Sequence, residues 1–376
     1  MKILIAPNAF KNSLDAVAAA EAICRGLRNS RLDCQCMQQP IADGGDGMLT
    51  VMLSQEGGEK RKAKVDGPLG NPVEAEYGLL KGGKTAVIEM AEASGIRLLK
   101  PDQLNPLKTS TYGTGQLIKA ALDAGVEEIV IGIGGSATVD LGLGMVQALG
   151  VKLLDEEGQE ISRGGEGLSQ LQQIDMRDLD ERIQHTRIII TCDVTNTLLE
   201  APSVFGPQKG ADEVMVKHLE QQFVRVGKLM EESLGKEVIG VKHGGAAGGL
   251  GAALYAFLGA ELVNGTDYLL SRTGFHDALS AAEVVITAEG ALDLQTQSGK
   301  GPFYVAQAAR GQGKPVFMLA GSLPKDYDPE KYDVYDVVLS IGPRPEALED
   351  AMRNTAKNLE RTALQIGNML ALKLKK

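Results

Sequence analysis

Short apolar runs alternate with helical patterns along most of the chain. The first apolar run covers residues 1–7, and apolar side chains then recur at helical spacing from Ser13 to Arg28. Later runs of the same kind predict further strands at residues 127–135, 187–191, 283–287, 314–321 and 336–342. Strands that alternate with helices are typical of a largely parallel sheet covered on both faces, so the pattern predicts an α/β fold.

Residues 60–90 follow a different pattern, in which polar and apolar positions alternate and GPLGNP and KGGK supply turn signals. We expect β-hairpins here and infer that a second α/β domain is inserted into a Rossmann-like domain with a parallel sheet. The predicted limits are residues 1–65 and 280–376 for the Rossmann-like domain and 66–279 for the inserted domain. From Met352 to Lys376 the pattern predicts one amphipathic helix with a basic end.

Composition and charge narrow the class of protein. At roughly 150 residues per domain, the 376 residues predict two domains, or at most three. A net charge of −10, the absence of Trp and an aromatic content of 4% argue against a nucleic-acid partner. The longest largely apolar stretch, residues 252–263, is shorter than the ~20 residues that cross a bilayer, so we expect no membrane partner. No secretory signal is visible and the four cysteines form no CxxC pair, which favours a cytoplasmic protein.

One match to a known motif is misleading. Residues 78–85, GLLKGGKT, fit the phosphate-binding pattern GxxxxGK[ST]. A phosphate-binding loop of this kind needs a buried strand before the glycines and a helix after the lysine, whereas residues 73–80 alternate like a half-exposed strand. Gly82 and Gly83 suit a two-residue turn, and we therefore expect a hairpin here.

Several familiar catalytic motifs are missing from the sequence. The four histidines show no HExxH spacing and no cysteine partners, so a zinc site is not expected and the histidines are predicted to lie at the surface. The serine-hydrolase pattern GxSxG is absent. The glycine spacing does not match GxGxxG, which leaves a nicotinamide-dependent dehydrogenase unsupported.

Two glycine-rich segments stand next to predicted helices. In IGIGGSATVDLGLGM, Gly134–Gly135 allows backbone amides to approach an anion, and Ser136 and Thr138 add hydroxyl groups. The segment HGGAAGGLGAAL, which contains Gly248–Gly249, opens another predicted helix. Each segment is either a cradle for a phosphate or carboxylate or a tight turn with close packing, and the residues alone leave both interpretations open.

Acidic residues stand at the carboxyl ends of predicted strands, where open α/β sheets bind their ligands. They are Asp43, Asp193 and Glu289. Each alone would suit a helix N-cap or a turn, but three such positions favour a functional cluster. Comparable loops contain Lys11, Lys209 and Lys300. Carboxylates for a metal, together with lysines and amides for phosphate, are the groups that phosphoryl transfer needs.

A series of ordered blocks resembles the type 1 glycerate kinase family of bacteria, and the resemblance runs nearly from end to end. The blocks are IAPNAFKNSLDA, ADGGDG, NPLKTSTYGTGQLI, IGIGGSATVDLGLGM, DVTN followed by VFGPQKGA, GGAAGGLGAAL and EGALDLQTQSGKGP. The sequence departs from the family pattern at Val139, Leu141 and Ala291, where the family more often has Asn, Gly and Arg.

The resemblance implies ATP-dependent phosphorylation of D-glycerate, usually to 2-phosphoglycerate, by a two-domain α/β enzyme with a cleft between the domains. It also implies Mg²⁺. The transfer is expected to be in line, with positioning and charge neutralisation as the main contributions to catalysis. The alternative is a non-catalytic two-domain protein that binds a nucleotide or a sugar acid.

Chemistry and motif position suggest a role for each candidate residue. For catalysis we expect Asp193 to orient the attacking hydroxyl group and accept its proton, with Asp43 as the second choice. Lys11 is expected to pair with the substrate carboxylate or the transferring phosphoryl group. The expected substrate-binding residues are Asp43, Ser136, Thr138 and Asn196. The ATP phosphates are assigned to Gly134, Gly135, Gly248, Gly249, Lys209 and Lys300, and Mg²⁺ to Glu289 and Asp293.

Overall fold

The computed structural model describes residues 1–292 and 301–373. The chain forms two compact units, each with its own sheet. Unit 1 consists of Met1–Asp43, Thr50–Gln55 and Thr266–Lys376, and unit 2 consists of Gly44–Leu49 and Glu56–Gly265. The contacts group residues 56–65 with unit 2 and residues 266–279 with unit 1. The domain limits predicted from the sequence, at residues 65 and 280, differ from this grouping and stay a prediction.

Unit 1 contains a sheet of five parallel strands. In spatial order the strands are β13 (Val337–Ser340), β12 (Val316–Ser322), β11 (Val284–Ala291), β1 (Lys2–Ile5) and β2 (Gln35–Gln38). Numbered within the unit, this is the order 2-1-3-4-5 of flavodoxin-like sheets, and the order reverses between β1 and β11. Apolar side chains of β1 and β11 are buried on both faces, which explains their continuous apolar runs. The predicted α/β class with parallel sheets is confirmed.

Unit 1 also contains several helices. They are α1 (Ala16–Arg28), α2 (Met48–Glu56, of which residues 50–55 belong to unit 1), α9 (Gly265–Arg272), α10 (Phe275–Ala281), α11 (Gly301–Gly311), α12 (Leu348–Arg353) and α13 (Thr355–Lys373). Asp15 caps α1, because its side chain accepts a hydrogen bond from the amide of Ala18 at 2.8 Å. The chain leaves the helix at Asn354, so the single helix predicted from Met352 is in fact two helices.

Unit 2 contains a mixed sheet of six strands. In spatial order they are β10 (Glu261–Val263), β9 (Arg187–Thr191), β6 (Glu128–Gly132), β5 (Thr85–Glu89), β4 (Pro72–Leu80) and β3 (Gly58–Asp66). The first four are parallel, whereas β4 and β3 are antiparallel and form the predicted hairpins. A separate antiparallel pair consists of β7 (Lys152–Leu154) and β8 (Gln173–Asp175).

The segment that matches a phosphate-binding loop is a hairpin, as predicted. Gly82 and Gly83 have φ angles of +100° and +70° in the turn between β4 and β5. A strand follows where a phosphate-binding loop would need a helix, and Lys84 forms an exposed ion pair with Glu127. The segment therefore lacks the helix N-terminus that would face a phosphate.

The helices of unit 2 are α3 (Ala91–Ser94), α4 (Tyr112–Asp123), α5 (Leu143–Ala148), α6 (Ala201–Phe205), α7 (Glu213–Leu234) and α8 (Leu250–Leu258). Helix α7 begins after its N-cap Asp212, and its C-cap Gly235 has a φ of +64°. Its inner face packs Leu219, Phe223 and Val226 into the core, each with 0% exposure. Across residues 1–292 and 301–373, no helix is both long and apolar enough to cross a bilayer.

Gly26 lets helix α1 approach helix α13. A Cβ atom here would lie 2.1 Å from the carbonyl oxygen of Glu360 and 2.8 Å from the Cβ of Ala363. We predict that Gly26→Ala pushes the helices apart and lowers the free energy of unfolding, measured by urea denaturation, by about 1–3 kcal/mol. Gly311→Ala is the control, because an added Cβ there meets nothing within 4 Å; it should raise stability by up to about 1 kcal/mol. Wild-type stability of Gly26→Ala would contradict the contact.

Candidate active site

The predicted polar residues of unit 1 lie where parallel strands end. Lys11 follows β1, Asp43 follows β2, and Glu289 lies near the carboxyl end of β11. All three line one cavity of about 400 Å³. The structure therefore brings these expected site residues together where the strand order of the sheet reverses, a common ligand position in such sheets.

Two carboxylates and one ammonium group face this cavity. Oε1 of Glu289 is buried, and the pKa of Tyr335 is raised above its usual value, first by burial and then by the charge of Glu289. Within the described residues no three acidic, cysteine or histidine side chains form a metal-ligand group. Asp43 and Glu289 still suit Mg²⁺, which binds proteins through one or two carboxylates and takes other oxygens from phosphate and water. Asp293 and Lys300 lie outside the described residues.

In unit 2, the loop after β6 presents three consecutive backbone amides. The amides of Gly134, Gly135 and Ser136 donate no hydrogen bond to any residue that the structure describes. Gly135 has a φ of +73°, the left-handed conformation found in anion-binding nests, and is exposed. The amide of Ile96 donates to the carbonyl oxygen of Gly135 at 2.9 Å and holds the loop from one side. The cradle interpretation of this segment thus has the open amides that it needs.

Lys209 lies inside unit 2. Only 2% of the residue is exposed, and Nζ donates hydrogen bonds to Oγ of Ser136 and to the carbonyl oxygen of Thr138, both at 2.7 Å. Burial lowers the pKa of the ammonium group to about 7, although the charge of Asp140 opposes this shift. Lys209 therefore fastens the loop after β6 from within, and a phosphate would reach Nζ only if these contacts opened.

Asp140 is a buried acid that the sequence reasoning did not single out. Its side chain accepts hydrogen bonds from the amide and hydroxyl groups of Thr111, at 2.7 and 2.9 Å, and from the amide of Gly142 at 3.2 Å. Burial raises its pKa and the hydrogen bonds partly oppose this. Thr138 beside it is fully buried, and its Oγ1 has no hydrogen-bond partner among the described residues. The only sequence signal for Asp140 is its place inside the glycine-rich block.

Gly248 and Gly249 allow two backbone segments to approach closely. A Cβ on Gly248 would lie 2.1 Å from the carbonyl oxygen of Thr138, and one on Gly249 would lie 2.8 Å from Cα of Leu141. The φ angles are +67° and +92°, and the amide of Leu141 donates to the carbonyl oxygen of Gly248 at 3.0 Å. These contacts favour the close-packing interpretation of this segment, and phosphate binding by the two glycines stays a prediction.

Asp193 and Asn196 follow β9, at the same sheet edge as the loop after β6. Asp193 is half-buried, and its Oδ1 accepts a hydrogen bond from the amide of Gly265 at 2.9 Å. Nδ2 of Asn196 donates to Oε1 of Glu200 at 3.1 Å. Because β6 and β9 are neighbours, Asp193 lies at the same sheet edge as the unpaired amides of Gly134, Gly135 and Ser136.

His243 departs from the prediction that the histidines lie at the surface. It is 7% exposed, and its Nδ1 lies 2.7 Å from the carbonyl oxygen of Val194. The adjacent glycines explain this burial, because a Cβ on Gly245 would lie 2.2 Å from the carbonyl oxygen of Thr197. The prediction was wrong for His243 because two loops distant in sequence pack together there.

Glu89 and Arg97 lie near the loop after β6 in unit 2. The sequence did not indicate either residue. Oε1 of Glu89 accepts hydrogen bonds from the amides of Gly47 and Leu49, at 3.0 and 2.8 Å, and burial raises its pKa to about 7. The guanidinium of Arg97, which is partly exposed, pairs with Asp46 at 3.1 Å. Neither residue stands in a motif whose spacing indicates a function.

The buried ammonium group of Lys209 predicts a pH-dependent stability. In the unfolded chain a lysine keeps its proton up to a pH of about 10.4, whereas the pKa in the folded protein is about 7. Above this folded pKa the unfolded state binds more protons, so the free energy of unfolding should rise as the pH approaches the unfolded value. Lys209→Met, which carries no titrating proton, should lack this rise.

The measurement is urea unfolding between about pH 6 and 9.5, with the wild type and the variant compared at each pH. Replacement of the exposed Lys217 by Met provides the control, and its curve should run parallel to that of the wild type. Parallel curves for the wild type and Lys209→Met would show that Lys209 is not deprotonated in the folded protein.

Comparison with known proteins gives a consistent result. The chain matches the model of the Glycerate kinase family over residues 3–371. It is 47% identical to "Glycerate kinase" of Halalkalibacterium halodurans over 367 residues, which cover 97% of each chain. It is 43% identical to "Glycerate 2-kinase" of Escherichia coli over 375 residues, which cover 99% of this chain and 98% of the relative.

A solved structure shares both fold and sequence with this protein. It is the crystal structure of a putative glycerate kinase 2 from Salmonella typhimurium LT2, which superposes with a TM-score of 0.89 at 44% identity. The match covers 100% of both chains, so the similarity is not confined to one unit. On the strength of these matches, the chain is an enzyme that belongs to the glycerate kinase family.

Proposed function

We propose that this enzyme phosphorylates D-glycerate with ATP and Mg²⁺ and releases 2-phosphoglycerate. The observation that carries the proposal is the near full-length similarity to proteins named glycerate kinase and glycerate 2-kinase. A kinase takes its phosphoryl group from a nucleotide, and ATP is the donor we assign. Since ATP is supplied in the cytoplasm, we also assign the enzyme to that compartment.

Unit 2 supplies the groups that suit a small hydroxy acid. Asp193 follows β9 and is the general base, which orients the attacking hydroxyl group and accepts its proton. The open amides of Gly134, Gly135 and Ser136 suit an anionic oxygen, because backbone N–H groups in a nest are preorganised donors. We assign Gly134 and Gly135 here to the acid, in place of the ATP phosphates expected from the sequence. Asn196, next to Asp193 in the same loop, is a further polar group for the acid.

Unit 1 supplies the groups that suit the phosphoryl donor. The Lys11 ammonium neutralises charge on the transferring phosphoryl group, and Asp43 and Glu289 line the same cavity. Glu289, with Asp43 as its neighbour, would hold Mg²⁺ through carboxylate oxygens. When bound, the ion would neutralise charge on the phosphate oxygens. Metal binding by Asp293 and phosphate binding by Lys300 stay proposals on residues that the structure does not describe.

Lys209, Thr138 and Gly248–Gly249 act in this proposal as positioning groups. Nζ of Lys209 donates hydrogen bonds to Ser136 and Thr138 in the loop after β6. Gly248 and Gly249 pack against the same loop. Such support keeps the amides of the loop in one arrangement before the substrate binds. A residue that acts in this way should affect catalysis through the loop rather than by touching the substrate.

The proposed reaction is tested by ³¹P NMR of enzyme, D-glycerate, ATP and Mg²⁺. We expect a phosphate monoester signal split into a doublet by one neighbouring proton, because the phosphate of 2-phosphoglycerate is bonded to a CH group. A triplet would indicate phosphate on the CH₂ group and overturn the assigned product. ATP binding without any ester signal would favour a non-catalytic binding protein.

Replacing the proposed base should affect turnover more than nucleotide binding. Asp193→Asn keeps the size of the side chain but removes its basicity, and we expect kcat to fall by about 10²-fold. The dissociation constant for MgATP, measured by calorimetry, should stay within about twofold. Asp102→Asn, at an exposed position of the same unit, is the matched control and should keep wild-type kcat. A kcat near the wild-type value for Asp193→Asn would remove Asp193 from this role.

A further inference from the structure

The cavity of unit 1 has an apolar wall that the acidic substrate does not explain. It lies beyond the carboxyl ends of β1, β11, β12 and β13 and is bordered there by Gly290, Gly321 and Gly342. Its volume of about 400 Å³ falls within the roughly 300–1,000 Å³ that ligand sites usually occupy. Glycerate is a three-carbon acid in which every carbon carries oxygen, so it would fill only a small part of this space.

The apolar wall comes mainly from helix α12 and the end of β13. Its side chains are those of Ile341, Leu348, Ala351 and Met352. Leu348 is 74% exposed, and its aliphatic side chain is therefore accessible to a ligand in the cavity. An apolar wall of this kind suits the face of a heteroaromatic base, which carries polar atoms only around its edge.

A buried amide group provides polar contacts at the same cavity. Asn358 lines the cavity from helix α13 and is 5% exposed. Its Oδ1 accepts a hydrogen bond from Arg361 at 3.5 Å, but its amide nitrogen donates to no residue that the structure describes. Asn358 lines the cavity, so this nitrogen is available to a polar edge of a ligand.

Charged groups that suit phosphates line the same cavity. Lys11 and Glu289 line it together with the apolar side chains, so an apolar region and a charged region belong to one continuous space. A nucleoside triphosphate has this combination of an aromatic base, a polar sugar and a charged chain that binds metal ions.

We propose that the cavity of unit 1 binds the nucleoside of the phosphoryl donor, with the base against Ile341, Ala351 and Met352 and the triphosphate directed towards Lys11. The proposal rests on the proposed function, because it names the part of the enzyme that recognises the donor. It assigns recognition of the nucleoside to a cavity formed by unit 1 alone.

The test replaces a small side chain of the apolar wall by a large one. Ala351→Phe places an aromatic ring where the base would lie, and we expect the dissociation constant for ATP, measured by calorimetry without glycerate, to rise at least tenfold. The KM for glycerate should stay within about twofold, since the acid makes no contact there. Binding of inorganic tripolyphosphate should also be kept, because it lacks the nucleoside.

The matched control is Ala281→Phe, which makes the same substitution at an exposed position of unit 1, the last residue of helix α10. It should bind ATP like the wild type. Where Ala351→Phe does not fold, judged by circular dichroism and thermal unfolding, Ser322→Phe fills the cavity from the end of β12. The same rise in the dissociation constant for ATP is expected.

Three outcomes would overturn the proposal. They are wild-type affinity for ATP in a folded variant with a filled cavity, an increased KM for glycerate with an unchanged KM for ATP, and an equal loss of affinity for ATP and tripolyphosphate. Failure of the proposed function is a different result. In that case the wild type would bind ATP and the variants with a filled cavity would bind it more weakly, but the wild type would form no phosphoglycerate.

Discussion

Parallel strand direction is the constraint on which both groups of candidate residues depend. The carboxyl ends of parallel strands meet at one edge of a sheet, so residues that are distant in sequence become neighbours there. In unit 1, this constraint brings Lys11, Asp43 and Glu289 to one cavity. In unit 2, it places Asp193 at the same edge as the open amides after β6. Neither arrangement would exist in an antiparallel sheet of the same strands.

The loops of unit 2 are held by buried ionisable groups. Lys209, Asp140 and Glu89 are all buried, and each hydrogen bonds to neighbouring loops or to the start of helix α2. Burial favours the neutral form of each group, which lowers the pKa of the lysine and raises that of the acids. A charged group that loses its partners inside a protein is costly, so these contacts restrict the loops to one arrangement.

The two units differ in the kind of ligand that their exposed groups suit. The cavity of unit 1 combines aliphatic side chains with an ammonium group and carboxylates, which suits a large ligand with both apolar and charged parts. The loop after β6 in unit 2 presents only small residues and backbone amides, which suit a compact anion. A kinase for a small acid needs one partner of each kind, so the difference agrees with membership of the glycerate kinase family.

The α/β class, the hairpins predicted at residues 60–90 and the family follow from the amino-acid sequence, because these depend on local periodicity and on ordered motifs. It also indicated Lys11, Asp43 and Glu289, since strand ends can be located from apolar runs. Only the tertiary structure showed that Lys209 and His243 are buried, that Asp140 anchors the glycine-rich loop, and that an apolar wall adjoins the charged groups of unit 1. Burial and cavity shape arise from contacts between residues far apart in the chain, and no local pattern records which distant segments will meet.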